Sequence, residues 1–379
     1  MNTFLSTSQV ALFEDYKKFV ASEIEPQVNE LEGDVAVVKK IFEVLGQKGY
    51  LGIAIPKEYG GCGEPFINLT LFIQALGQLD AGLAVSVATH TAAAELISTA
   101  GTDTQKSRHL PLLARGECIG TIAFTEECAG SDYKALEALA KKAGEGFELT
   151  SEKTWVVNGE FADLAVVTAK IEGQDSISLF LAELKSASSL QISEDIKKLG
   201  LRSARTNNIS FKAHKMDSSS LLGEDEKACR EEVLLGCMDF TKVLVASTCV
   251  GLMDSAIQYS VERARSREQF GKNIGKFQAI QWKLADMSSE SAASRLMTYR
   301  AAWSKDEAPE EFRKNAAMCK YYASRVARVH SSEAVQIFGA LGVSCDQPME
   351  KFYRDSKVME ICEGTSEIQK NIVASEIGS

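Results

Sequence analysis

Residues 353–369 read YRDSKVMEICEGTSEIQ, and one acid in this stretch, Glu363, stands between a cysteine and a glycine. One explanation is that this acid takes part in catalysis, which a short stretch by itself cannot show. Read alone, the stretch is also explained as a surface acid beside a loop glycine. The pattern along the rest of the chain is needed to choose between the two.

Four other stretches combine glycine, aromatic and polar residues in a similar way. They are FTEECAGSD (124–132), KTWVVNG (153–159), SREQFGKNIGKFQAIQ (266–281) and QIFGALG (336–342). Taken singly, each has a structural explanation: AGSD is typical of a turn, KTWVVNG of a strand that ends in an Asn-Gly turn, and REQFGK of a helix end. Only their order and spacing together point to a function.

Hydrophobic spacing divides the chain into three parts. Apolar residues three and four apart predict helices from about Val10 to Ala114, with one interrupting loop, IPKEYGGCGEPF. Short alternating or β-branched runs between about Thr121 and Asp217 predict strands. Helical spacing returns from Ala228 in three long segments. We therefore predict a mostly α protein with an N-terminal helical domain (1–120), a middle β domain (121–227) and a C-terminal helical bundle (228–379).

Composition excludes several classes of protein. The net charge of −10 and the absence of a long basic block argue against nucleic-acid binding. The start of the chain has no basic region followed by an apolar run, and we expect no apolar stretch of 18 residues, so we predict neither secretion nor membrane spanning but a cytoplasmic location. The nine cysteines, Cys229 among them, show no CxxC spacing and are expected to be reduced, and no metal site is predicted.

Together, the five stretches resemble the acyl-CoA dehydrogenase family, flavoenzymes that form an α,β double bond in an acyl thioester. The resemblance covers nearly the whole chain, from the IPKEYGG loop to EGTSEIQ. It implies an N-terminal helical domain, a β-barrel-like middle domain, a C-terminal four-helix bundle, bound FAD and a homotetramer. It also implies an acyl-CoA substrate, an electron-transfer flavoprotein as acceptor, and Glu363 as the base that removes the α-proton.

The resemblance further implies where the cofactor and the substrate bind. Expected around the isoalloxazine are Phe124, Thr125, Gly130, Ser131, Trp155 and Val157. Arg267 is expected at the FAD pyrophosphate of a neighbouring subunit, with Phe270, Ile274 and Gln278 along the same cofactor. Expected at the ADP part are Gln336, Gly339, Ala340, Thr365 and Glu367. The substrate contacts implied are Ser131, Asp239, Lys242, Cys362 and Gly364.

Several positions depart from the family pattern. Val157 stands where a Ser or Thr hydroxyl usually bonds the flavin, and Lys242 replaces the arginine of an Asp-x-x-Arg motif. Glu127 replaces a common proline, and Ala340 a common glycine. Either the site tolerates these changes, since β-branched residues favour strands, or the chain is a flavin-free homologue without turnover. A third alternative is an enzyme that performs the same dehydrogenation on an acyl group attached to a carrier protein instead of CoA.

Cys362 is the departure that bears on the substrate. Relatives commonly carry a tyrosine immediately before the base, and the smaller cysteine leaves more room beside the α-carbon. An empty cavity is costly because the lining atoms lose dispersion partners, so we expect the substrate to fill the space. The sequence therefore predicts a short, branched or alicyclic acyl group rather than a long straight chain.

Overall fold

The computed structural model describes residues 5–184, 189–223 and 230–378. Within these ranges, helices are followed by strands and then by helices again, so the predicted fold class is confirmed. Cys229 and the predicted boundary between residues 227 and 228 lie outside the described residues.

The N-terminal part is helical. Its helices are α1 (Thr7–Phe19), α2 (Val35–Gln47), α3 (Phe66–Leu79), α4 (Ala81–Ala100) and α5 (Asp103–Ala114). The expectation of a single interrupting loop is wrong, because a five-residue π-helical segment follows α1 and a 3-10 segment then spans Glu25–Glu30. Pro26 explains this break, since proline has no N–H to continue the α-helical hydrogen-bond pattern.

Among the described residues, the middle part forms one seven-stranded sheet. Its strands are β1 (Gly120–Ala123), β2 (Leu139–Ala143), β3 (Gly146–Val157), β4 (Leu164–Ile171), β5 (Ile177–Glu183), β6 (Leu190–Ile192) and β7 (Thr206–Met216). The order is β1-β4-β2-β3-β7-β6, with β5 on β4; β4 pairs with β1 and β2 in parallel, and the other pairs are antiparallel. The alternation of buried and exposed residues along β3 fits a strand with one face on the core.

The C-terminal part consists of three long helices and two shorter ones. They are α6 (Glu231–Ser266), α7 (Gln278–Glu307), α8 (Pro309–Phe338), α9 (Met349–Met359) and α10 (Ser366–Glu376). A small hairpin of β8 (Glu268–Gln269) and β9 (Lys272–Asn273) connects α6 to α7. Helix α6 packs against α7 and α8 on one side and against α3 and α4 of the N-terminal part on the other.

Helix α6 corrects one expectation from the sequence. Its 36 residues contain an 18-residue window that is long and apolar enough, by length and composition, to cross a membrane. However, 78% of that window is buried inside the protein. A helix that is apolar on all sides and covered by neighbouring helices is typical of a protein core. The apolar stretch is therefore explained by its central position between the N-terminal and C-terminal helices.

A buried group of charges joins the three parts. Lys351, on α9, lies with its Nζ 2.6 Å from Asp355, 3.1 Å from Asp80 and 3.3 Å from Glu32. Asp80 begins α4 and accepts the backbone N–H of Leu83 at 2.7 Å. Asp355 accepts the backbone N–H of a middle-domain residue, Leu201, at 2.6 Å. Lys351 thus ties α9, which leads to Glu363, to the N-terminal part, and its partner Asp355 ties the same helix to the middle part.

Candidate active site

Glu363 lies in the short connection between α9 and α10. Its φ angle is +53° and that of Gly364 is +85°, so two consecutive residues adopt the left-handed conformation. This conformation is common for glycine but strained for glutamate. A Cβ added to Gly364 would lie 2.7 Å from the Gln369 Nε2, so the turn also needs glycine for space. Thr365 then caps α10 by accepting the N–H of Ile368.

The Glu363 carboxylate is held by a residue that the sequence did not single out. The Thr241 hydroxyl, on α6, donates to Glu363 Oε2 at 2.5 Å. Thr241 lies between Asp239 and Lys242, both predicted to contact substrate. These two form a buried ion pair with each other at 2.6 Å, and burial raises the pKa of Asp239. Both predicted contacts therefore lie within two positions of the residue that holds the Glu363 carboxylate.

The backbone of the turn is held from two helices. Lys320, on α8, donates its Nζ to the Gly364 carbonyl at 2.6 Å. Gln369, on α10, donates its Nε2 to the carbonyls of Glu363 and Gly364, both at 3.0 Å. Both side chains are fully buried. The sequence analysis missed both: Gln369 stands inside the quoted EGTSEIQ motif, whereas nothing near Lys320 in the sequence indicates its contact.

Cys362 is half-buried and packs against the hydrophobic core. Burial raises the pKa of its thiol to about 11, although the Lys320 ammonium nearby opposes the shift. A thiol with such a pKa stays protonated at neutral pH and is a poor nucleophile. Cys362 is therefore a small, unreactive side chain next to Glu363.

Some of the residues predicted to surround the isoalloxazine lie together at one end of β3. The loop after β1 carries Phe124 and Thr125, and the Thr125 carbonyl accepts the N–H of Thr154 at 2.8 Å. Trp155 sits at an irregularity in the pairing of β3 with β7, has a φ of +59°, and leaves 57% of its surface exposed. The sequence predicted the strand but not this bulge, a feature often found next to active sites.

A buried ion pair between Lys153 and Glu126 holds the loop that carries Phe124 and Thr125. The Lys153 Nζ donates to Glu126 at 2.6 Å, to Thr168 at 2.9 Å and to the Phe124 carbonyl at 3.2 Å. Burial lowers the pKa of Lys153 to about 8, while Glu126 opposes the change. Val157, which lacks the expected hydroxyl, accepts a hydrogen bond through its carbonyl from Thr121 at 2.5 Å. Gly130 and Ser131 are exposed in the loop that follows Glu126.

A second group of predicted residues surrounds a cavity at the end of α6. The cavity has a volume of about 370 Å³ and contains four of them, Arg267, Ile274, Gly339 and Ala340, among its lining residues. Arg263 also lines it. Phe270 lies at the tip of the β8–β9 hairpin with a φ of +54° and is 93% exposed. Gln278 begins α7 and Gln336 lies in the last turn of α8.

Thr365 and Glu367 line a different cavity. This cavity has a volume of about 470 Å³ and is rich in cationic side chains: Arg325, Arg328, Lys357 and Lys370. It shares no lining residue with the cavity at Arg267. Within one chain, the residues predicted to contact the ADP part are therefore divided between two places.

Comparisons with known proteins agree with this arrangement. Three family models match in order: the acyl-CoA dehydrogenase N-terminal domain over residues 6–117, the middle domain over 121–214 and the C-terminal domain over 232–378. A short/branched chain specific acyl-CoA dehydrogenase of Rattus norvegicus is 33% identical over 95% of this chain and 83% of its own length.

Two solved structures are similar over nearly the whole chain. An acyl-CoA dehydrogenase from Bacillus anthracis, complexed with FAD, has 28% identity and a TM-score of 0.92, covering 98% of this chain and 66% of its own. A structure described as an electron transferring flavoprotein of Acidaminococcus fermentans has 30% identity and a TM-score of 0.93, with both chains fully covered. By family, the protein is an FAD-dependent oxidoreductase, so the flavin-free alternative is set aside. The chain belongs to the acyl-CoA dehydrogenase family.

Proposed function

We propose that this enzyme converts a short, branched or alicyclic acyl-CoA to its α,β-unsaturated thioester. The Glu363 carboxylate removes the α-proton, in an anti 1,2-elimination. The observation that carries the proposal is the hydrogen bond from Thr241 to Glu363 Oε2, which orients one carboxylate oxygen and leaves the other to accept the proton. Bound FAD supplies the acceptor for the β-hydride, a reaction that no side chain can perform.

The residues present fit FAD. The cavity of about 370 Å³ contains two arginines, and the Arg263 Nε is buried without a hydrogen-bond partner among the described residues. Guanidinium groups are well suited to the paired oxygens of phosphates. We therefore assign the phosphates to Arg267 and its neighbours, and the flavin ring to the wall formed by Phe124, Thr125 and Trp155.

We propose that each FAD is shared between two copies of the chain, within a homotetramer. The two cavities have no residue in common, so one chain does not surround an ADP group with all the predicted contacts. In addition, a phenylalanine that is 93% exposed, Phe270, follows Arg267 by three positions in the hairpin after α6. Such a residue is stabilised when a partner covers it. FAD binding and association of the chains are then coupled.

Arg267→Ala is expected to weaken FAD binding about 10- to 100-fold, since hydrogen bonds to charged groups contribute about 1.5–3 kcal/mol. The oligomer should loosen together with the loss of flavin. The measurements are flavin content after gel filtration, elution volume and FAD affinity by fluorescence. Arg265→Ala is the control, because this exposed arginine on the same helix does not line the cavity. Unchanged flavin content and elution volume in Arg267→Ala would contradict the assignment.

The acyl group is proposed from the small, half-buried side chain of Cys362 next to the base. Cys362→Tyr is expected to lower kcat/KM for branched and cyclohexane-type acyl-CoAs about 10- to 200-fold, because methylene-scale differences in a pocket contribute about 1–3 kcal/mol. Straight short chains should be affected less. Cys345→Tyr, at an exposed cysteine, is the control. If bulky substrates are unaffected by the Cys362 change, or if the native enzyme prefers straight chains, the pocket argument is wrong.

The electron acceptor is proposed to be an electron-transfer flavoprotein. Support comes from the likeness to the structure from Acidaminococcus fermentans and from the exposed Trp155 at the edge of the flavin wall. A cytoplasmic location belongs to the same proposal. The carrier-protein alternative is not favoured, since a chain with a net charge of −10 repels an acidic partner.

A further inference from the structure

The turn that carries Glu363 is not stable on its own. Glu363 is one of the few non-glycine residues with a positive φ, and a residue in this region is strained by about 1–3 kcal/mol. The adjacent Gly364 is also left-handed and allows many other conformations. Contacts from the surrounding structure must therefore decide where the carboxylate points.

Lys320 makes the shortest of the contacts to the backbone of this turn. Its Nζ lies 2.6 Å from the Gly364 carbonyl, whereas the Gln369 amide reaches the same oxygen at 3.0 Å. Lys320 and Gln369 come from α8 and α10, so the turn is held between two helices. Two donors restrain this carbonyl, and with it the backbone of Gly364, the residue that directly follows Glu363.

Burying the ammonium group of Lys320 lowers the stability of the fold. The side chain is 0% exposed and forms no ion pair with a carboxylate among the described residues. Burial lowers the pKa of Lys320, whereas the thiols of Cys362 and Cys249 and the carboxylate of Glu363 raise it. Removing an ammonium group from water costs several kcal/mol, so a hydrophobic residue would serve the core better. Stability alone does not explain this lysine.

We propose that Lys320 is a positioning residue for the catalytic base: its ammonium group holds the Gly364 carbonyl and thereby fixes the direction of the Glu363 carboxylate. The inference rests on the proposed function, because it assumes that Glu363 removes the α-proton. It assigns Lys320 no contact with substrate or cofactor. A misplacement of about 1 Å in a catalytic group can reduce a rate about 100-fold, so the expected effect is measurable.

The test measures proton removal separately from flavin reduction. FAD-loaded enzyme is incubated with acyl-CoA in deuterated water under anaerobic conditions, and exchange of the α-proton is followed by NMR, per mole of bound flavin. Lys320→Met should slow this exchange about 10- to 100-fold while FAD content and the Kd for acyl-CoA stay unchanged. Lys320→Gln, whose amide can still donate to the carbonyl, should fall between Lys320→Met and the native enzyme.

Lys314→Met is the matched control, because this lysine lies on the same helix and makes no contact with the turn among the described residues. If Lys320→Met is thermally destabilised but exchanges the α-proton at the native rate, Lys320 is only structural and the inference is wrong. If Lys320→Met does not fold, Gln369→Leu removes the second donor to the same carbonyl and must show the slower exchange instead. Native enzyme that fails to exchange any substrate would contradict the proposed function itself.

Discussion

Glu363→Gln is expected to lower turnover about 10²- to 10⁴-fold, the usual contribution of a positioned general base. Glutamine is nearly isosteric with glutamate, but its amide cannot accept the α-proton. The Thr241 hydroxyl can still donate to the amide oxygen, and the contacts of Lys320 and Gln369 involve only backbone carbonyls. The turn, the fold and FAD binding should therefore persist while the chemistry is lost.

The measurement for Glu363→Gln is the rate of flavin reduction in a single turnover, at saturating acyl-CoA and with flavin content determined in parallel. Glu376→Gln is the control, since this acid lies at the end of α10 and forms an ion pair with Arg313. If the Glu363 variant reduces its flavin at the native rate, another group is the base. If it loses FAD, the assignment of this residue to catalysis rather than to structure is wrong.

Lys351→Met should lower the free energy of unfolding by about 3–5 kcal/mol, because it leaves buried charges without their partner. The two carboxylates nearest to Lys351, those of Asp80 and Asp355, are 2% and 1% exposed. Burial lowers the pKa of Lys351, but the carboxylates of Asp80 and Asp355 raise it by more. The pKa of Lys351 is therefore raised overall. Its removal therefore leaves two buried carboxylates uncompensated, one in the N-terminal part and one on α9.

The expected loss is measured as the shift of the denaturant midpoint at constant protein and FAD concentration. Lys141→Met is the control, because its ion pair with Glu172 is exposed on both sides and such pairs contribute about 0–1 kcal/mol. Adding Asp80→Asn and Asp355→Asn to Lys351→Met should recover part of the stability, since no uncompensated carboxylate then remains at these positions. Equal midpoints for the native chain and Lys351→Met would contradict the role given to this group.

The sequence predicted the fold and the base for physical reasons that act locally. Hydrophobic spacing of three and four indicates helices and alternation indicates strands, and both depend only on near neighbours. Glu363 was predicted to be the base because the residues that follow it, from Gly364 to Gln369, form one continuous motif that resembles the family's. The break after α1 was missed even though Pro26 marks it, because the apolar spacing continues beyond the proline.

The partners of the base could not be predicted, because they are distant in the sequence. Thr241 contacts a residue 122 positions away, and Lys320 one that is 44 positions away. Lys351 looks like an ordinary surface lysine until the fold brings Asp80 beside it. Asp239 and Lys242 were predicted as substrate contacts. The structure adds that they form a buried ion pair with each other, which the sequence did not indicate. Local patterns therefore identify the chemical group, and the tertiary structure identifies what orients it.

The central claim, that this flavoenzyme oxidises a compact acyl-CoA with Glu363 as the base, is tested most directly by anaerobic titration. Purified, FAD-loaded protein is titrated with straight, branched and alicyclic acyl-CoAs while the absorbance of the flavin is recorded. We expect stoichiometric bleaching of the oxidised flavin band by branched or alicyclic short acyl-CoAs, and bleaching that is about 10²- to 10⁴-fold slower with Glu363→Gln. A flavin band that no acyl-CoA bleaches, or that long straight chains bleach best, would contradict the account.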